Sequence, residues 1–121
     1  MKVKIEITEG CTCYSCTING IEYENLIDKE SEHYNPDFVY DVLEAMTNEI
    51  YEQRKNNQDL ITVLDDVFTF IELENSQWFF ERLFYFNANT KTVDTSYCEQ
   101  CGDTVITRSL TLNINEWKLK N

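Results

Sequence analysis

The chain has little of what builds loops and linkers: three glycines and one proline in 121 residues. Flexible linkers rich in Gly, Pro or Ser are excluded, and the length fits one domain, residues 1–121. Histidine occurs once, as His33 in a polar stretch without a recognisable partner, which reads as a solvated loop residue. Neither a Gly-rich phosphate loop nor a nucleophile elbow is present. With no convergent acid, base and nucleophile, the expectation is that the chain is not an enzyme. Bases are scarce as well, 10 Lys and Arg against 22 Asp and Glu, for a net charge of −12. That balance opposes general binding to nucleic acids or anionic membranes, which are polyanions themselves. No apolar run approaches a membrane span. The opening MKVKIEITEG alternates charged and apolar residues, unlike the unbroken apolar stretch of a signal peptide. A soluble, cytoplasmic protein is expected.

What is abundant is apolar and aromatic surface: 42% hydrophobic residues, with 2 Trp, 7 Tyr and 7 Phe. That is enough for a core, although a short chain buries a smaller share of its surface and gains from a cross-link. Twelve Asn and ten Ile against two Ala and three Arg suggest an AT-rich bacterial or viral genome.

Lys2 to Thr8 alternates strictly, with Val3, Ile5 and Ile7 on one side, the pattern of a half-buried strand. Asn19-Gly20 between short apolar runs predicts a hairpin. Asn35-Pro36-Asp37 predicts a helix start: Asn as cap, Pro at the first helical position, Asp at the positive end of the dipole. Val39, Val42, Leu43, Met46 and Ile50 then share one stripe, and the helix is expected to end near Lys55. Leu60 to Leu73 reads as two strands turning at Asp65-Asp66, with a helical stripe as the alternative. Trp78 to Phe86 reads as an aromatic strand, Ala88 to Lys91 as a turn, and Thr92 to Tyr97 as a run into the second cysteine pair. Thr104 to Ile114 alternates, with Ile106, Leu110, Leu112 and Ile114 on one face. The expected class is α+β, a mostly antiparallel sheet packed with one main helix at about 36–55.

Five cysteines in a reducing compartment favour a metal site over a disulfide framework. Cys13-Tyr14-Ser15-Cys16 and Cys98-Glu99-Gln100-Cys101 are two Cys-x-x-Cys turns, the second followed by Gly102, which tolerates the positive φ such a turn needs. Locally they resemble a zinc-ribbon knuckle pair. The resemblance covers the turns and their flanks, and the 81 residues between them far exceed ribbon spacing. Cys13, Cys16, Cys98 and Cys101 are the expected ligands of one structural zinc joining the N- and C-terminal parts, four thiolates leaving no open position for catalysis. Cys11 is the odd cysteine and an alternative to Cys13; iron is the alternative metal.

The acid is concentrated in the middle. Residues 22–52 hold ten acids and one base, Lys29. On the expected helix Asp37, Asp41, Glu44 and Glu52 fall within about 80° of one another, with Asn48 among them and Tyr40 and Tyr51 at the edge. Neighbours in this row lie about 5 Å apart along the axis, which approaches the spacing of phosphates on a nucleic-acid strand. Crowded like charges cost stability, and a polar face alone does not require them. The expected partner is therefore a basic protein, such as a nucleic-acid-binding protein or nuclease, with the helix standing in for phosphates. In size and charge the chain resembles nucleic-acid mimics, anti-CRISPR proteins and immunity proteins of nuclease toxins. The alternative is a zinc-ribbon-type accessory protein of transcription or replication, contacting through Tyr14, Tyr97, Lys91 and Arg108.

Overall fold

Alternation in the first strand decides which side of the sheet becomes the core. The computed structural model describes residues 1–10, 14–54, 56, 76–100 and 102–114. Strand β1 (Lys2–Glu9) buries Val3, Ile5 and Ile7 and leaves Lys2 and Lys4 exposed. It is followed by β2 (Tyr14–Ile18), β3 (Ile21–Glu22) and the five-residue helix α1 (Tyr23–Ile27). Asn19 and Gly20 both have positive φ, +52° and +80°, as a two-residue hairpin turn matched to strand twist requires. Asn19 is also tied to β1: its Oδ1 accepts the Lys4 amide at 2.8 Å, and its own amide donates to the Lys4 carbonyl at 2.8 Å.

Helix α2 (Pro36–Gln53) begins as the sequence predicts, with Asn35 Oδ1 accepting the Phe38 amide at 3.3 Å. It stops at Gln53, two residues short of the expected end. The expected strand over Trp78–Phe86 is instead a helix, α3 (Ser76–Phe86). Phe79, Phe80, Leu83 and Phe84 are buried, recurring at the three- and four-residue steps of one helical face. Aromatic and apolar residues also occupy the opposite face, which hides this period. The sheet is thus covered by two substantial helices among the described residues, not by one. Leu60 to Leu73 and Asp65-Asp66 lie outside the described residues.

Strands β4 (Lys91–Tyr97) and β5 (Thr104–Asn113) complete a five-stranded antiparallel sheet in the order β3-β2-β1-β5-β4. The fold is α+β. The first and last strands are central partners, paired from Lys2↔Asn113 to Glu9↔Ile106. This ladder joins the N- and C-terminal parts, the task the sequence assigned to a metal. Side chains of β1, β2 and β5 meet α2 and α3 in one core, with Tyr23 and Phe80 rings 5.0 Å apart. Edge strand β4 is exposed throughout and has a register irregularity between Thr92 and Asp94, a bulge of the kind that blunts an open edge. Among the described residues no helix is long and apolar enough to cross a membrane.

Candidate partner interface

Helix α2 buries Val39, Val42, Leu43, Met46, Thr47 and Ile50, so its opposite side faces outward. Asp37, Glu44, Asn48 and Glu52 are exposed, and Asp41, Tyr40 and Tyr51 are half-buried. At about 100° per residue, Tyr40, Glu44 and Tyr51 turn to one flank of the row and Asp41, Asn48 and Glu52 to the other. Tyr40 and Tyr51 pack against the core; their rings brace the helix and leave the carboxylates as the outward chemistry. Glu49 was not part of the expected row. It accepts hydrogen bonds from the side-chain amides of Asn87 and Asn89, the latter at 3.0 Å. Gln53 donates to Asn87 Oδ1 at 3.0 Å and accepts from the Ala88 amide at 2.8 Å. These bonds clamp the end of α2 to the turn after α3. His33 stands beside Glu32, 3.4 Å from its carboxylate.

The cysteines divide. Cys98 follows β4 and is half-buried; its amide donates to the Asp103 carbonyl at 2.9 Å, and its carbonyl accepts the Gly102 amide at 2.8 Å. Gly102 has φ +75°, the positive φ expected of the residue that follows the second cysteine pair. Cys16 lies inside the sheet, opposite Ile7, with 2% of its surface exposed. Ile7 pairs with Arg108 on β5, whereas Cys98 lies opposite Asp103. Five residues along β5 and three strand spacings across separate the two cysteines by roughly 20 Å. Sulfurs sharing a zinc at about 2.3 Å each lie within about 4 Å of one another, so this arrangement does not bring Cys16 and Cys98 onto one ion. Cys13 and Cys101 lie outside the described residues, as does Cys11. Among the described residues no group of three His, Cys, Asp or Glu is arranged to hold a metal. Burial, then the carboxylates of Glu81 and Glu22, push the Cys16 thiol well above its ordinary range.

Of the four residues of the alternative contact surface, Tyr14 and Arg108 line one depression with Glu9 and Thr104, but the four do not form a single cluster. Lys91 and Tyr97 stand at opposite ends of β4. The Arg108 guanidinium lies over the Tyr85 ring, 5.3 Å from its centroid. The Tyr14 hydroxyl donates to Glu81, and Tyr85 is hydrogen-bonded to Glu9. Burial, then these carboxylates, raise both phenols above their usual range. Glu9, Glu81 and Tyr85 carried no sequence signal: Glu9 reaches Tyr14 through the β1–β2 register, and the packing of α3 on the sheet brings Glu81 and Tyr85 to Tyr14 and Arg108.

No family model matches the chain, and neither the curated proteins nor the solved structures contain a match.

Proposed function

We propose that the chain is a small acidic binding protein whose α2 docks on the basic surface of another protein, where a nucleic-acid strand would otherwise lie. One observation carries this reading: α2 buries its apolar stripe and turns Asp37, Asp41, Glu44 and Glu52 away from it, the first three about one helical turn apart and Glu52 about two turns beyond, past Asn48. A row of like charge raises the association rate with basic partners and repels nucleic acids. The partner class is a basic protein that handles nucleic acid, and the protein acts on it as an inhibitor by occupying its groove.

Replacing Asp37, Asp41 and Glu44 together by lysine tests the reading. All three side chains lie outside the buried stripe, so the circular dichroism spectrum is expected to be unchanged. Capture of basic nucleic-acid-handling proteins from nuclease-treated lysate at low salt is expected to be lost. Equal capture by the triple variant means the row is a solvated face and no more.

The hydrogen bonding at Cys98 favours a second reading, a zinc-dependent accessory protein. The Cys98 carbonyl accepts the Gly102 amide, and Gly102 has the positive φ that a metal knuckle needs, which supports that reading. In that reading Cys98 is a ligand and Cys16 is a core residue.

A further inference from the structure

The flank of α2 that carries Asp41 and Glu52 overhangs one end of the sheet, and two depressions open beneath it. The first, about 630 Å³, is lined by Asp37, Asp41 and Glu32, with Phe38 and Ile21 as apolar wall. The second, about 320 Å³, is lined by Asn48, Glu49 and Glu52, with Leu112 and Ile114 as wall. Met1 borders the first and Ile114 the second. These two residues are bonded to each other, the Met1 ammonium donating to the Ile114 carbonyl and the Ile114 amide to the Met1 carbonyl, both at 2.8 Å. The two depressions therefore lie on either side of the Met1–Ile114 pair, in line under α2, and are taken together as the chambers of a groove with that pair as its saddle.

Resting on the reading of α2 as the docking face, we infer that this groove receives a basic segment of the partner protein, with one cationic side chain in each chamber. Each chamber combines an apolar wall with carboxylates, the surroundings that a Lys or Arg side chain matches with its alkyl stem and charged head. Among the described residues, five carboxylates line the two chambers, against the single ammonium of Met1 and the imidazole of His33. The positive end of the α2 dipole is offset by Asp37 in the first turn and by the Asn35 cap. A second copy of the chain, at −12, is repelled. A divalent cation lacks a cluster of three ligands among the described residues. The middle of the Asp37–Asp41 step and the middle of the Asn48–Glu52 step are about 16 Å apart at 1.5 Å per residue. An extended chain covers that in about five residues.

The test uses fluorescence anisotropy on the full chain at low salt. The probes are a Gly-Ser peptide with two arginines five positions apart and the two corresponding single-arginine peptides. The two-arginine peptide is expected to bind at least about tenfold more tightly than either single one, since the second contact is made at high effective concentration. The double change Asp37→Asn with Asp41→Asn, and separately Glu52→Gln, is expected to reduce it to the single-arginine level. Asp94→Asn, on the exposed edge strand β4, is expected to change affinity by less than about twofold. Equal affinity for one and two arginines overturns the groove. So does a loss on Asp94→Asn as large as on Glu52→Gln, which makes binding a matter of net charge and leaves the docking reading to the triple lysine variant. A concentration-dependent dimer abolished by Glu52→Gln overturns it too, by giving the groove to a second copy. If no basic peptide binds and the triple lysine variant still captures basic proteins, the groove and the docking reading fail together.

Discussion

Cys16 illustrates how far a residue's chemistry depends on its surroundings. As sequence it is half of a Cys-x-x-Cys turn; in the fold it is a core side chain of β2, paired with Ile7 of β1 and under the influence of the Glu81 and Glu22 charges. Removing its proton would place an anion in apolar surroundings next to two carboxylates, so the folded protein holds that proton more tightly than the unfolded chain does. The sign follows. The contribution of Cys16 to stability is complete below the ordinary thiol value of about 8.5 and declines as pH rises through it, by up to about 1.4 kcal/mol per pH unit. Urea unfolding at pH 7, 8.5 and 10 is expected to show falling stability, with a shallower slope in Cys16→Ala. Identical slopes for the two proteins would mean that the thiol is solvated.

Helix α3 makes the corresponding point for elements. Its segment holds Trp78, Phe79, Phe80, Phe84, Tyr85 and Phe86, residues that favour strands when partners are at hand. The available partner is an apolar sheet face already formed by β1, β2 and β5, and a helix covers such a face with the stripe Phe79, Phe80, Leu83 and Phe84. The turn that ends α3 is held by Asn87, a polar side chain buried to 3% exposure. Its amide bonds to Glu49, and its oxygen accepts from Gln53 and from the Asn89 amide. Asn87→Ala removes partners from two side chains of α2 and from the Asn89 amide in the turn, and is expected to destabilise the fold by about 1–3 kcal/mol, measured as a lowered urea midpoint. A change below about 0.5 kcal/mol would mean that solvent serves these groups equally well.

For the whole molecule, the sheet separates two ends. The Cys98–Gly102 turn and the start of β2 lie at one end, and the groove with the Met1–Ile114 saddle at the other. A metal at the Cys98 turn and a partner at the groove would thus act independently. The β1–β5 ladder already joins the chain's two parts, so a metal at the Cys98 turn would fix the β4–β5 connection locally. Metal analysis of purified protein is expected to find zinc that is lost in Cys98→Ser and retained in Cys16→Ala, with folding followed by circular dichroism. Equal loss from both variants would require Cys16 to leave the core, and zinc-free wild-type protein would remove the metal from the account.

The alternation of Lys2 to Thr8, the Asn19-Gly20 turn, the Asn35 cap and the acid row of α2 were all legible in the sequence. Each is set by neighbours within a few residues, through backbone sterics, capping and helical or strand period. Three matters depended on contacts between distant segments: the helical state of Ser76–Phe86, the burial of Cys16, and the opening of a groove under α2. The aromatic run becomes helical because a sheet face waits to be covered, Cys16 is buried because β2 pairs with β1 in one register, and the groove exists because Met1 and Ile114, 113 residues apart, close the end of the sheet. Local pattern determines what each segment is able to become, and burial of apolar surface between segments decides which of those states is stable.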